Sequence, residues 1–420
     1  MTANQIPNQN LTYHLAQIHP QYGLKAVNIQ PIQRSIFYYL PVKTPMKTKT
    51  TLSNGLIVLG LLLLAIGCKK DPKPVETGPT TPTYSFTGTT ADELMFEDGE
   101  AMATMISENR RFNVSNVLRI TAVNNTTIEV ANFAPVDITD ATILATIAGQ
   151  PQKIQLFHIG TIKGHRVKQI PYPFITGQTE YLDVNQKTVD LSAYKTKGIA
   201  PADISFEFTG TTPLIEKLKK LSIIKWQPKM EDFDPQNLDN NWLDEPPAKQ
   251  FRMFTGFMIN FAYMYTDATM KSRIVNEYVI GNDGTTPLTT AEKEADWIKA
   301  QTRTKINCGL TDTRKVNGLG GGSTFGMPDW VTLNFMTNSY TTPFHEMGHV
   351  LGYNHSSSMT YPQNNRGNVP VFMARQNEMN AAGDFPVRLN NYYKPDDIPT
   401  PKASAAASLK ANKLTEEGIQ

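Results

Sequence analysis

Residues 341–362 read TTPFHEMGHVLGYNHSSSMTYP, and within them His345, Glu346, His349, Gly352 and His355 are spaced for metal chemistry. At 3.6 residues per turn, His345 and His349 fall one above the other on one helix face. Two neutral imidazoles so placed can converge on one ion at about 2.0–2.1 Å. Glu346, one residue further round, can reach a water at that ion without being a ligand. Thr342 offers a side-chain oxygen to cap the helix, and Pro343 suits its first position, where a missing N–H costs nothing. Gly352 supplies the left-handed residue that ends the helix, and the turn delivers His355 as a third ligand. Three protein ligands with one position left for water is the pattern of a catalytic zinc, whereas structural zinc is usually closed by four. At this chain's composition HExxH alone arises by chance in roughly one sequence in two hundred, and with Gly352 and His355 in roughly one in a hundred thousand.

These residues carry a family resemblance. HEMGHVLGYNH resembles the HExxHxxGxxH signature of the metzincin zinc endopeptidases. The clan's second mark is a methionine in a tight turn beneath the metal, and Met359 in SSSMTYP is similar to it. Tyr361 resembles the tyrosine of astacins and serralysins, which can ligate zinc and later hydrogen-bond the tetrahedral intermediate. Tyr361 and Pro362 are also similar to a pair in matrixins, where the tyrosine follows the methionine directly. Only Ser356, Ser357 and Ser358 separate His355 from Met359, a shorter link than those families carry. The resemblance implies Zn2+ held by His345, His349 and His355, with Glu346 as general base. It further implies that Tyr361 stabilises the oxyanion and that an extended peptide substrate pairs with an edge strand.

The elements that must position these residues point to an α+β chain of two or three domains, well above the length needed for real cores. Over residues 84–235 short β-branched runs recur at 117–120, 127–130, 143–147 and 153–157, punctuated by turn signals, which predicts a β-rich, sandwich-like module. A helix is expected over 91–109, and an amphipathic one over 213–224. The polar, Pro- and Asn-rich stretch 227–247 marks a domain boundary. Residues 236–398 should then form the metzincin-like α/β catalytic domain, with a mixed sheet and the active-site helix. Within it, the Met- and aromatic-rich run 251–265 reads as core. Thr289 and Glu292 form a capping box opening a helix to about residue 304, and 330–335 reads as a strand. The glycines of 317–326 lack the strand-to-helix context of a phosphate loop. They fit either a flexible loop or an edge strand that a substrate backbone approaches. His158 and His165 have no partner pattern and read as ordinary histidines.

Charge and leader signals set the location. Lys and Arg total 40 against 38 Asp and Glu, a balance with no pull towards nucleic acid. From Met46, Lys47 and Lys49 precede an apolar run over 56–66, too short to span a membrane and right for a signal peptide over 46–67. Ala65-Ile66-Gly67-Cys68 resembles the lipobox of bacterial lipoproteins, which implies a lipid anchor at Cys68. Residues 1–45 then read as an extension upstream of the true start. Removal of everything before Cys68 takes five cations (Lys25, Arg34, Lys43, Lys47, Lys49) and no acids, turning the formal net charge from +2 to −3. Cys308 is left without an intrachain partner. Residues 68–83 read as a Pro/Thr-rich tether and 399–420 as a mobile tail.

The expectation is a zinc metalloendopeptidase lipid-anchored at the bacterial cell envelope, cleaving extended protein or peptide substrates. The rival expectation is an envelope adhesion or binding lipoprotein with a non-catalytic zinc site. Hydrolysis of a non-protein substrate such as cell-wall peptide is a third.

Overall fold

A computed structural model describes residues 78–231, 241–243 and 245–388. All of them belong to one compact unit, Pro74–Gln420. The expected extension, signal peptide, lipidation site Cys68 and tail lie outside the described residues, as does the tether up to residue 77.

The described chain is α+β. Its N-terminal strands are β1 (Thr83–Phe86), β2 (Leu118–Ala122), β3 (Thr127–Asn132), β4 (Ile138–Ile147), β5 (Ile154–Ile162), β6 (Val167–Pro171), β7 (Glu180–Leu182), β8 (Thr188–Asp190) and β9 (Ile204–Thr209). They form a four-stranded sheet in the order β1-β5-β4-β9, a three-stranded sheet β2-β3-β6, and the pair β7-β8. The four β-branched runs read from the sequence each coincide with one of these strands, with Val117 and Lys153 falling just before β2 and β5. Ile128 and Val130 from one sheet, and Ile143, Ile154 and Ile159 from the other, enter a single hydrophobic cluster.

The helix expected over 91–109 is instead three short turns: Ala91–Glu93, α1 (Met102–Met105) and Glu108–Arg110. Phe96 and Gly99, both at positive φ (57° and 91°), break any continuous helix there. The next helices are α2 (Pro173–Thr176) and α3 (Pro213–Lys220). The latter is the amphipathic helix, capped by Thr212 Oγ1, which accepts from Ile215 N at 3.3 Å.

The C-terminal part is built on β10 (Gln227–Met230), α4 (Ala248–Met264), α5 (Ala268–Asn276), α6 (Thr290–Thr302), β11 (Lys305–Leu310), β12 (Leu319–Gly321), β13 (Thr324–Met327), α7 (Asp329–Asn334), α8 (Thr342–Leu351) and α9 (Asn368–Ala382). Its sheet runs β10-β11-β13-β12, parallel except for the antiparallel edge strand β12. Strand β10 opens the stretch read as a domain boundary, so this sheet takes its first strand from there. The capping box at Thr289 and Glu292 is formed and opens α6. Residues 330–335, read as a strand, are mostly helix α7. Pro328 in extended conformation starts it, and the Thr332 hydroxyl returns to Asp329 O at 2.8 Å. Packing against α4 overrides the β propensity of Val331 and Thr332.

Helix α4 explains why the Met- and aromatic-rich run is core: every residue but Lys249 is buried. Its rings join the sheet to the site helix. Phe261 stacks on Phe325 of β13 at 5.5 Å and meets Phe344 of α8 at 5.7 Å, and Phe344 stacks on Phe372 of α9 at 4.8 Å. Truncating such a buried ring to alanine typically costs about 3–5 kcal/mol. One cluster of buried residues runs continuously from Phe86 to Val387.

Candidate metal centre

Helix α8 begins one residue earlier than the capping signal suggests. Thr342 is already helical and buried. Thr341 holds the cap position in αR conformation with no side-chain cap, and its carbonyl takes the N–H groups of Phe344 and His345. Pro343 brings no donor to the first turn, so the missing cap leaves one orphan fewer. At the other end Gly352 adopts φ 100°, as its type predicts, and its N–H returns to Gly348 and His349 carbonyls. Lys299 donates to Leu351 O there, a cation on the negative end of the helix.

The helix and the turn after it bring the three histidines together. Their rings lie 4.7, 4.8 and 5.3 Å apart, and one ligand nitrogen from each falls within 4.8 Å of the others. Exposure rises through the set: the His345 side chain is 12% exposed, His349 is half-buried and His355 is open to solvent. His345 Nδ1 donates to Thr360 O at 3.0 Å, and His349 Nδ1 donates to Tyr353 O at 2.6 Å. A carbonyl can only accept, so these bonds fix the tautomer and leave both Nε2 lone pairs free. The two Nε2 atoms face each other at 3.1 Å. Two ligand nitrogens on a tetrahedral ion lie about 3.3 Å apart. Burial pushes His345 down to about 4, with the Thr360 bond opposing and the other two histidines adding to the fall. Burial also lowers His349. Neutral rings whose lone pairs turn to one point suit a cation there. The histidine group can therefore hold a metal ion.

No family model matches the chain, and neither a curated protein nor a solved structure does. The centre rests on its own geometry.

Glu346 lies beside the ligands without joining them. Its Oε1 is 4.0 Å from His345 Nε2, and the residue is 5% exposed. Burial pushes its carboxyl up to about 8. Met359 is buried, and its carbonyl backs onto Gly348 of the site helix, where a Cβ would come within 2.7 Å of it. The short serine link is pinned rather than loose. Ser357 Oγ donates to Ile280 O at 2.6 Å, Ile280 N donates to Ser358 Oγ at 2.7 Å, and Met359 N donates to Ser357 Oγ at 3.1 Å. Tyr361 follows the turn, 38% exposed, its ring 4.3 Å from His345 and 5.0 Å from His355. The sequence-predicted residues His345, Glu346, His349, Gly352, His355, Met359 and Tyr361 thus gather in one place.

Other polar groups stand apart from it. Cys308 is buried in β11, and its burial pushes the thiol up. His158 lies 3.7 Å from Asp140, and His165 packs edge-on to Phe96 at 5.5 Å. Among the described residues no helix is long and apolar enough to cross a membrane.

Several contributors escaped the sequence reading. Thr360 and Tyr353 act through backbone carbonyls, which carry no residue-type signal. Tyr353 also donates its hydroxyl to Asp296 Oδ2 at 2.5 Å, tying the turn to α6. The glycine-rich stretch was visible, but its neighbour was not: strand β12 lies against α8.

Proposed function

We propose that the chain is a zinc-dependent endopeptidase of metzincin type. The observation that carries this reading is the pair of opposed Nε2 atoms of His345 and His349, with His355 completing the set and Glu346 alongside but outside it. An all-imidazole set of three with a neighbouring carboxylate suits zinc with an open position better than a calcium or magnesium site, which takes oxygen ligands. When bound there, zinc supplies Lewis acidity, polarising a carbonyl and bringing the pKa of a water towards 7.

The chain's own residues do the rest. His345 and His349 are held in the ligating tautomer by Thr360 and Tyr353. Glu346, in the carboxylate form that a cation held by the histidines would favour over burial, takes a proton from the attacking water and returns it to the leaving amine. The Tyr361 hydroxyl, on a ring packed against His345 and His355, donates to the developing oxyanion. Exposure of His355 and Tyr361 fits approach of substrate from that side, and β12 is an edge strand beside the site helix, suited to pairing with an extended peptide. The lipobox-like sequence ending at Cys68 supports a lipid anchor, and with it the bacterial cell envelope as the site of this activity.

The test is a pair of variants on the mature protein. Glu346→Ala should keep zinc and lose peptide hydrolysis by about 10²–10⁴-fold or more, because Glu346 serves the water and not the ion. His349→Ala should lose zinc and activity together. Full hydrolysis by Glu346→Ala would assign the activity elsewhere. A wild-type protein that binds zinc but cleaves nothing in a broad peptide library would favour the envelope adhesion or binding reading.

A further inference from the structure

We infer that Gly318 and Gly320 are positioning residues for Glu346: the missing side chains on one face of the β12 segment set where its carboxyl group stands. The inference rests on the reading of Glu346 as general base.

Gly320 lies in β12 and Gly318 just before it, and with the two-residue repeat of extended chain both face Glu346. That side lies against α8. A Cβ on Gly318 would collide with Glu346 Oε1 and come within 2.7 Å of Thr342 Cγ2 and 2.9 Å of Glu346 Cδ. A Cβ on Gly320 would collide with Glu346 O and come within 2.7 Å of Oε2 and 2.8 Å of Glu346 Cα. Each carboxyl oxygen therefore abuts one glycine. Neither glycine is among those at positive φ, unlike Gly321 and Gly322 at the hairpin tip. What these two positions require is space: at Gly318 for the Glu346 carboxyl group and the Thr342 methyl, at Gly320 for the Glu346 backbone and carboxyl. With the strand on one flank, the carboxyl group is held 4.0 Å from His345 Nε2.

The two glycines should respond differently. Gly320 abuts helix backbone, so a methyl group there must move α8 itself. Gly318 abuts the ends of two side chains, so Gly318→Ala displaces the carboxyl group while leaving the histidines in place. The experiment is a double-mutant cycle of Gly318→Ala with Glu346→Ala in the full chain, read first by thermal unfolding with and without added zinc. Gly318→Ala should lower the Tm by on the order of 5 °C in the wild-type background. In the Glu346→Ala background the carboxyl clash is gone and only the Thr342 methyl contact is left, so that loss should shrink. On a cleaved peptide, Gly318→Ala should reduce kcat about 10–100-fold with zinc content and KM unchanged, as for a misplaced reacting group. Equal Tm losses in both backgrounds, or a wild-type kcat in zinc-loaded Gly318→Ala, would overturn the inference. The outcomes separate from those of the proposed activity. Should wild type cleave no peptide, that activity falls, and the unfolding cycle still decides whether Gly318 and Glu346 share the space.

Discussion

Tyr353→Phe removes a single oxygen from the turn that follows the site helix, and it should weaken metal binding without touching a ligand. Tyr353 holds three bonds at once. Its N–H donates to Gly348 O at 3.0 Å, its carbonyl accepts from His349 Nδ1 at 2.6 Å, and its hydroxyl donates to Asp296 Oδ2 at 2.5 Å. The last bond fixes the turn to α6. Asp296 is half-buried, and burial raises its carboxyl, so loss of the donor leaves a poorly solvated acid behind. A hydrogen bond to a charged group is worth about 1.5–3 kcal/mol, and partial exposure argues for the lower end. Groups standing behind a ligating histidine shift metal affinity by about 10–100-fold, which is the same range expressed as binding. We therefore expect zinc affinity to fall about tenfold, measured by competition with a chromophoric chelator. The metal-free protein should melt about 3–6 °C lower. Asp296→Asn, which keeps an acceptor for the hydroxyl, should show a smaller loss. Zinc affinity within twofold of wild type would refute the reasoning, because it would mean that backbone bonds alone hold the Tyr353 carbonyl on His349.

Tyr361→Phe keeps the ring against His345 and His355 and removes only the hydroxyl; turnover should fall about 10²–10³-fold with zinc retained. Unchanged turnover would show that the hydroxyl does not meet the transition state. Gly348→Ala places a methyl group 2.7 Å from Met359 O and 2.8 Å from Thr360 Cγ2, and a backbone oxygen cannot swing aside. We expect about 1–3 kcal/mol of destabilisation in denaturant melts, and a wild-type midpoint would contradict the contact. For the proposed anchor, Cys68→Ala should abolish lipid labelling, while a chain begun at Met46 should reach the membrane fraction like the full-length protein. Unchanged labelling of Cys68→Ala would remove the anchor.

The legible parts of this chain are those whose cause is local. Histidines four apart on a helix, a glycine that ends it and a turn that returns the third ring all follow from 3.6 residues per turn and one left-handed residue. The capping box at Thr289, the amphipathic helix from Pro213 and the β-branched strand runs have causes equally close in sequence. Where the cause is distant, the reading fails. Val331 and Thr332 belong in a strand by propensity, yet the surface of α4 makes them helix. The continuous reading of 91–109 overlooked Phe96 and Gly99 in left-handed conformations. Thr342 looked like a cap because its residue type is right, but the chain enters the helix one position earlier.

The site itself divides along the same line, and the division explains its construction. Ligand positions are set by residue type, so they are visible. Ligand orientation is set by the carbonyls of Thr360 and Tyr353, which any residue could supply at those positions, so the sequence is silent about it. What then fixes those carbonyls must be the packing of the turns that bear them. Thr360 is carried on the turn that Ser357 and Ser358 bind to Ile280, and Tyr353 on the turn that Asp296 binds to α6. The helix between them is held from below by Phe344 on Phe261 and Phe372. The short serine link carries Met359 and Tyr361 on a turn tied to Ile280. Its buried Ser357 and Ser358 hydroxyls are bonded to Ile280 and to Met359 N, and rigidity of the turn follows from their satisfaction rather than from its length.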